Sequence, residues 1–401
     1  MTFADGMLLS LTELPMPFGL KILIQILFLA ALSAAAKPAS GQEADPQQAQ
    51  TIFAHLVKPG DPGLAVLVKK DGRVLLERGY GVRHTGGTDP ITSDTNFRLA
   101  SFTKQFTAMA ILLLIHDGKL RYETRLTEIF PSFPAYGEAI TIRHLLTHTS
   151  GLPDYEQLME REEKAHGERW TPEHQIQDEE VLSLLEKESK GKFAPGTSWA
   201  YSNSGYVVLG LIATRVSGVS YGEFLQQRIF QPLGMKNTIV YQKGKNKISN
   251  RAYGHSLENG KFTLTDQSAT SATLGDGGIY SNLEDLSRWD DALANHTLLS
   301  AQEMQPALTP VKLVDGNEPH WPKEADDDNL APGQPVSYGF GWFLDPYQGH
   351  PRMWHSGSTM GFRTVIERFT ADHLTIVILC NRTDLDSSKL ALQVAQPYLK
   401  N

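Results

Sequence analysis

The feature that most restricts the fold of this chain is a helix-forming segment that is apolar almost all round. Residues 105–115 (QFTAMAILLLI) carry no charged side chain and are mostly good helix formers. A helix with apolar side chains on every face is stable only when other elements cover all of those faces. The sequence therefore predicts a buried central helix, with the rest of the chain packed around it.

β-Rich segments stand at both ends of the chain. Residues 63–69 and 73–79 flank the turn dipeptide Asp71-Gly72, a pattern that predicts a β-hairpin. Residues 362–369 and 374–380 predict a second strand pair before the C-terminus. The chain between them shows helical patterns, interrupted by Gly and Pro.

This arrangement predicts an α/β fold of the α+β type. One antiparallel sheet is built from both chain ends and flanked by helices, and a mainly helical domain is inserted between those ends. We expect the sheet domain to comprise residues 42–130 and 335–401, and the helical domain residues 131–334. The charged stretch 154–180 and the Pro-, Gly- and acid-rich stretch 311–336 are expected to be loops, either on the solvated surface or at the edge of a cleft.

A Ser-x-x-Lys motif leads directly into the apolar segment. Ser101 and Lys104 are one helical turn apart, so their side chains share a face. The positive end of the helix dipole favours a developing negative charge at Ser101. Burial disfavours the charged ammonium of Lys104, so Lys104 is a candidate base. A second copy, Ser189–Lys192, passes through Gly191 toward Pro195 and is expected in a surface loop.

A competing nucleophile is Ser220, which lies in a Gly-x-Ser-x-Gly match at residues 218–222. A nucleophile elbow of this kind requires a strand before the serine. The preceding segment, 206–217, has a helical pattern instead, and Ser220 with Glu223 matches a capping box. We therefore expect Ser220 to cap a helix.

His144 and His148 are spaced i, i+4, a spacing that can bind a metal ion from one helical face. No His-Glu-x-x-His motif accompanies them, and the segment soon reaches the turn residues 149–151 (TSG). A structural role is the favoured interpretation. We expect neither a metal nor a cofactor.

Tyr201 and Asn203 lie in a loop before an apolar helix. A tyrosine and an asparagine two residues apart can both point into a cleft, where they supply a phenol for proton transfer and an amide for substrate. The same pattern at residues 280–282 directly precedes a helical segment, so Ser281 or Asn282 is expected to be a helix N-cap.

A His-x-Gly motif at His355 and Gly357 stands just before the C-terminal strand pair. The same pattern occurs at His84, in a Gly-rich turn, and at His116, where the apolar helix ends. Both of those copies are interpreted as structural.

In this order, Ser101-x-x-Lys104, Tyr201-x-Asn203 and His355-x-Gly357 resemble the three-motif pattern of the serine β-lactamase and penicillin-binding protein superfamily. Within it the chain looks like the class C β-lactamase branch, which also holds esterases and D-amino-acid peptidases. Supporting stretches include residues 145–152 (LLTHTSGL), 232–235 (PLGM) and 277–289.

The resemblance implies a cleft between a sheet domain and a helical domain. By similarity, Ser101 attacks a carbonyl to form an acyl-enzyme, and Lys104 and Tyr201 shuttle the proton. Asn203 holds the amide of the acyl side chain, and the backbone N–H groups of Ser101 and Ser358 form the oxyanion hole.

His355 differs from the residue in class C β-lactamases, which usually have lysine at this position. Histidine here resembles the D-aminopeptidase and esterase members more closely. His355, Gly357 and Ser358 are expected to bind substrate. With an ordinary pKa of about 6.5, His355 is mostly neutral at pH 7, so we expect carboxylate-bearing substrates to gain as the pH falls.

The sequence therefore predicts a serine acyl hydrolase that acts on small esters or amides, including peptides with D-residues. The alternatives are a class C-like β-lactamase and a non-turnover penicillin-binding or peptidoglycan-sensing protein. The expected partner is a small ester, amide, peptide or β-lactam. A net charge of −8 without a basic run argues against nucleic acid.

An apolar run near the N-terminus, residues 22–36, follows Lys21 and precedes small residues. The run is short for a membrane span and has the pattern of a secretory signal, which we place at about residues 16–41. The sequence therefore predicts a periplasmic or secreted protein, with a retained membrane anchor as the alternative. Cys380 is the single cysteine, so no internal disulfide is expected.

Overall fold

The computed structural model of the protein describes residues 50–53, 55–323 and 331–399. The predicted signal segment, within residues 1–41, lies outside the described residues. Across the part of the chain that is described, no helix is long and apolar enough to cross a membrane.

The described strands form one five-stranded sheet and two smaller sheets. In chain order they are β1 (Leu64–Lys70), β2 (Arg73–Tyr80), β3 (Phe97–Arg98), β4 (Ile239–Val240), β5 (His255–Glu258), β6 (Lys261–Leu264), β7 (Ile279–Ser281), β8 (Arg352–Thr359), β9 (Phe362–Phe369) and β10 (Leu374–Cys380). The large antiparallel sheet has the order β2-β1-β10-β9-β8, so β1 pairs directly with β10. The prediction of one antiparallel sheet built from both chain ends is confirmed.

Helices fill the middle of the chain and flank the large sheet. They are α1 (Lys104–His116), α2 (Leu126–Ile129), α3 (Ile142–Leu146), α4 (Tyr155–His166), α5 (Asp178–Glu186), α6 (Asn203–Ser217), α7 (Tyr221–Leu225), α8 (Leu283–Ala294), α9 (Ala301–Met304) and α10 (Ser387–Ala395). Short 3-10 turns lie at Ala100–Thr103, Ala135–Gly137, Gln305–Leu308 and Gln396–Tyr398, and a π turn at Gln226–Phe230.

Helix α1 is the buried central helix expected from its sequence. Every side chain from Lys104 to Leu114 is buried. The ring of Phe106 packs against Trp289 of α8 with centroids 4.6 Å apart, and α6 covers another face. Burial of each large apolar side chain contributes about 1.5–3 kcal/mol, so the core fixes the position of α1 and of the residues at its N-terminus.

The turn that precedes α1 is tied to two sheets. Leu99 follows β3, and its N–H donates to the Ile279 carbonyl of β7 at 2.9 Å. The Leu99 carbonyl accepts a hydrogen bond from the Thr364 hydroxyl of β9 at 2.7 Å. The chain between β3 and α1 therefore has a fixed position between the β3-β7-β4 sheet and the large sheet.

Several local predictions about helix ends agree with the structure. Ser220 is the N-cap of α7, and the segment before it is helical rather than extended. Asn282 is the N-cap of α8. Helix α6 begins at Asn203, three residues earlier than expected, because the Ser202 hydroxyl accepts a hydrogen bond from the Gly205 N–H and caps the helix there.

The expectation of a loop throughout residues 154–180 is wrong, because this stretch contains α4. Asp154 caps the helix by accepting hydrogen bonds from the first-turn N–H groups, including that of Glu156 at 2.9 Å. Leu158 and Met159 are buried on one face of α4. The charged side chains of α4 itself lie away from this buried face, as in an amphipathic helix.

The sheet and the helices share one hydrophobic core. Leu67 of β1 and Ile366 of β9 belong to the same buried cluster as Leu209 of α6. The described residues lie within one compact unit, Pro46–Asn401. The expected domain boundaries, after residue 130 and before residue 335, stay predictions.

Candidate active site

Ser101 lies in the 3-10 turn that leads into α1. Ala100 has a left-handed backbone conformation with φ of 51°, which bends the chain sharply before the serine. The Ser101 side chain therefore lies at the N-terminal end of a long helix, where the helix dipole favours developing negative charge.

Lys104 is completely buried, and its amine connects three segments of the chain. The Nζ atom is 2.9 Å from the Ser101 hydroxyl oxygen. It is 2.8 Å from Oδ1 of Asn203 at the start of α6 and 3.1 Å from the backbone carbonyl of Asp276. The structure thus brings Ser101, Lys104 and Asn203 into one hydrogen-bonded group.

These three partners suit the Lys104 amine in either protonation state: an ammonium has three hydrogens for three acceptor oxygens, and a neutral amine can accept from the Ser101 hydroxyl. The Asn203 Oδ1 and the Asp276 carbonyl only accept hydrogen bonds, whereas the Ser101 hydroxyl can donate one. A neutral –NH2 group has two hydrogens for the two acceptors and one lone pair for the Ser101 proton. In that neutral form the Lys104 lone pair can take the proton of the Ser101 hydroxyl, 2.9 Å away.

Tyr201 lies beside Lys104, at the place where the sequence predicted a third proton-transfer group. The Lys104 Nζ is 4.8 Å from the centre of the Tyr201 ring and 5.6 Å from the centre of the Tyr206 ring. Aromatic ring faces stabilise a nearby cation. The rings therefore favour the ammonium that forms once Lys104 has taken up a proton.

His148 packs against Tyr201, a specific form of the structural role that the sequence analysis favoured. Its ring is tilted against that of Tyr201 with centroids 4.4 Å apart, and its Nδ1 accepts a hydrogen bond from the Ser202 N–H at 3.1 Å. Burial and the nearby Lys104 charge hold the pKa of His148 well below its usual range, so the ring is neutral. The sequence signal for this contact was the position of His148 in the stretch 145–152 (LLTHTSGL).

His144 does not join His148 in a metal site. The His144 Nδ1 accepts a hydrogen bond from the Thr141 N–H at 3.2 Å, at the start of α3, while His148 packs on Tyr201. Across residues 50–53, 55–323 and 331–399, no cluster of three or more His, Cys, Asp or Glu side chains is arranged to hold a metal ion.

His355 is buried, with 1% of its surface exposed. Its Nε2 is 3.2 Å from the Tyr338 hydroxyl, and its Nδ1 is 2.7 Å from the Ser356 carbonyl oxygen. The carbonyl only accepts, so Nδ1 carries the hydrogen and Nε2 accepts from Tyr338. Both ring nitrogens of His355 are therefore engaged with protein partners.

The expectation of an ordinary pKa for His355 is wrong. Burial lowers the pKa of this ring to about 3, and the Lys104 charge adds to the effect. The rings of Tyr338, Phe343 and Tyr201 surround it. As a neutral group, His355 links β8 to Tyr338. A neutral ring does not attract a substrate carboxylate by charge, so the predicted electrostatic contact is not supported.

Gly357 lets β8 pass close to the turn that holds Ser101. A Cβ atom at this position would lie 2.0 Å from the Leu99 carbonyl oxygen and 2.4 Å from the Thr364 hydroxyl. β8 is an edge strand, so alternate N–H groups point away from β9. The predicted oxyanion hole, formed by the N–H groups of Ser101 and Ser358, stays a prediction that this close approach supports.

A small cavity of about 60 Å³ opens over the Ser101 side chain. Two groups of residues are among those lining it: Ser101, Asn203 and Ser358 carry the predicted chemistry, and Arg98, Glu156 and Asp276 carry charge. Three of the predicted residues therefore border one common space, whereas Lys104, Tyr201, His355 and Gly357 are not among its lining residues.

Comparisons with known proteins agree with the resemblance seen in the motifs. The sequence model of the Beta-lactamase family matches residues 49–397. The chain is 31% identical over 365 residues to a penicillin-binding protein of Bacillus subtilis (strain 168), a match that covers 87% of this chain and 75% of that protein. It is 28% identical over 350 residues to a D-aminopeptidase of Gluconobacter oxydans (strain 621H), covering 85% of this chain and 60% of that enzyme.

A solved structure gives the same result for the fold. The octameric penicillin-binding protein homologue from Pyrococcus abyssi superposes with a TM-score of 0.72 at 26% identity, and the match covers 88% of this chain and 77% of that one.

Replacing Lys104 by arginine tests whether the amine acts in its neutral form. Arginine keeps the charge but does not lose its proton at usable pH. We expect Lys104→Arg to lose nearly as much kcat/KM as Lys104→Ala on an activated ester. Lys192→Arg, in the exposed second Ser-x-x-Lys motif, is the matched control and should retain full activity. If the folded Lys104→Arg variant keeps most activity, the base lies elsewhere.

Proposed function

The chain belongs to the beta-lactamase family of serine hydrolases, and we propose that it hydrolyses small esters and amides, including peptides with D-residues. The observation that carries this proposal is the 2.9 Å contact between the Ser101 hydroxyl and the buried Lys104 amine, at a cavity that Ser101 lines. The 28% identity to a D-aminopeptidase supports the choice of amides and D-residues.

In the proposed acylation step, the Lys104 lone pair takes the proton from the Ser101 hydroxyl. The Ser101 oxygen then forms a bond to the substrate carbonyl carbon, and the carbonyl oxygen becomes an oxyanion. The N–H groups of Ser101 and Ser358 stabilise that charge. When the intermediate collapses, the bond to the leaving group breaks, and the proton passes from Lys104 through Tyr201 to the leaving oxygen or nitrogen.

Deacylation repeats these steps with water as the nucleophile. The attacking water gives one proton through Tyr201 to Lys104, and the water oxygen bonds to the acyl carbon. The bond between that carbon and the Ser101 oxygen then breaks. The proton returns to the Ser101 oxygen, and the acyl group leaves as a carboxylic acid.

The environment of His355 favours substrates that lack a carboxylate at this position. A neutral ring without an available N–H offers no charge attraction to an anion. The second candidate function, formation of a long-lived acyl-enzyme with a β-lactam, is favoured by the 31% identity to a penicillin-binding protein.

One substrate profile distinguishes these functions. We expect turnover of a p-nitrophenyl ester and of a D-Ala amide, and slower turnover of a cephalosporin. Ser101→Ala should lower kcat at least about 10³-fold, the scale seen when a nucleophile is removed. Ser220→Ala, at an exposed helix cap, is the matched control and should remain active.

A stoichiometric burst without turnover on all three substrates would instead support the penicillin-binding alternative. An active Ser101→Ala variant would reject both functions.

Because the pKa of His355 is low, we expect the preference between a carboxylate-bearing and a neutral substrate not to change with pH. The pKa of about 3 lies below the usual value, so the ring stays neutral until the pH approaches 3 and no charge appears between about pH 5.5 and 7.5. The kcat/KM ratio for a carboxylate-bearing and a neutral ester with the same acyl group should therefore stay constant over this range.

Taking the ratio removes the effect of any group whose titration changes kcat/KM of both esters equally. His355→Gln, which does not titrate, should give the same flat ratio. A rise of several-fold as the pH falls through about 6.5 in wild type alone would show that His355 is protonated in the working enzyme.

A further inference from the structure

One carboxyl group in the cavity of Ser101 takes no part in the proposed mechanism. Asp276 lines this cavity, and only 6% of its surface is exposed. Its backbone carbonyl accepts a hydrogen bond from Lys104, which fixes the residue beside the nucleophile. Its side chain is a separate group, available for other chemistry.

The two oxygens of this carboxyl group differ in their surroundings. Oδ2 accepts a long hydrogen bond of 3.4 Å from the Tyr155 hydroxyl. Oδ1 is buried and has no hydrogen-bond partner. A buried carboxylate with so few donors is unfavourable, so a ligand whose donor reaches this carboxyl group from the cavity gains free energy there.

Two protein cations lie near this carboxyl group and donate to backbone carbonyls, although Nη1 of Arg98 is buried without a hydrogen-bond partner. Arg98 donates to the carbonyls of Ser271 and Gly277 at 3.0 and 3.3 Å. Lys104 donates to the Asp276 carbonyl rather than to its side chain. Burial favours the protonated form and raises the pKa of Asp276, whereas the charges of Lys104 and Arg98 favour the ionised carboxylate.

The other groups around Asp276 also suit a cationic ligand. Glu156, in the first turn of α4, lines the same cavity and adds a second negative charge at its exposed side. The threonines at 270 and 273 also line it, and their hydroxyl oxygens accept hydrogen bonds. Asp178, a further carboxyl close enough to interact electrostatically with Asp276, is buried and bound to the Leu274 N–H.

The position of Asp276 relative to Ser101 fixes which part of a substrate it meets. The Lys104 amine contacts both the Ser101 hydroxyl and the Asp276 carbonyl. Ser101 and Asp276 also line the same cavity, so a substrate carbonyl at Ser101 shares that cavity with the carboxyl group. A substituent on the carbon next to that carbonyl is within its reach.

We propose that Asp276 binds a protonated amine next to the scissile carbonyl and so selects amides and esters of amino acids, including the N-terminal residues of peptides. The proposal rests on the proposed hydrolase function. It makes Asp276 a specificity-determining residue whose carboxylate accepts a hydrogen bond from the substrate ammonium.

The test compares two anilides that differ only in the amine. D-Alanine p-nitroanilide carries the ammonium, and propionyl p-nitroanilide lacks it. We expect wild type to favour the alanine compound in kcat/KM, and Asp276→Asn to lower this preference about 10-fold or more, as for loss of a charge-assisted hydrogen bond. Glu258→Gln removes an exposed carboxylate on β5 outside the cavity and should leave the preference unchanged.

Three outcomes overturn the inference or its premise. An equal loss on both anilides in Asp276→Asn means that the carboxyl only balances the charges of Lys104 and Arg98. An unchanged ratio means that the amine is bound elsewhere. If wild type hydrolyses neither anilide and no p-nitrophenyl ester, the proposed hydrolase function itself fails.

A second measurement needs no variant. Acetylation of the amine of D-alanine p-nitroanilide removes its charge and should lower kcat/KM of wild type about 10-fold or more. Equal or faster turnover of the acetylated compound would overturn the proposal even if Asp276→Asn did not fold.

Discussion

The rest of the site depends on the burial of one amine, that of Lys104. A lysine without solvent exposure is costly as an isolated cation, and the cost favours the neutral base. The same amine contacts the nucleophile turn, the start of α6 and the chain at Asp276. A single side chain thus connects three segments of the site.

Backbone contacts make that arrangement rigid. Leu99 bonds to β7 through its N–H and to Thr364 of β9 through its carbonyl. Gly357 allows β8 to lie against the same turn without a steric clash. Ser101, the proposed nucleophile, is therefore fixed by one helix and two sheets, so the proposed position of a substrate carbonyl between Ser101 and Ser358 requires little rearrangement.

The sequence predicted the parts of the fold that depend on local patterns. Hydrophobic periodicity and turn residues indicated the helix after Ser101, the N-terminal hairpin and the C-terminal strands. The state of His355 was not predictable in this way, because it depends on Tyr338 and Phe343, which tertiary packing brings around the ring. The contact of Asp276 with Lys104 was hidden for a different reason: it uses a backbone carbonyl, which any residue possesses.

The most direct test of the account is to identify the side chain that reacts with a fluorophosphonate. In this reaction the serine oxygen bonds to phosphorus and fluoride leaves, and only an activated serine reacts quickly. We predict that mass spectrometry of the digested protein places a single label on Ser101, and that Lys104→Ala greatly slows labelling. A label on Ser220, or equally fast labelling without Lys104, would contradict the account.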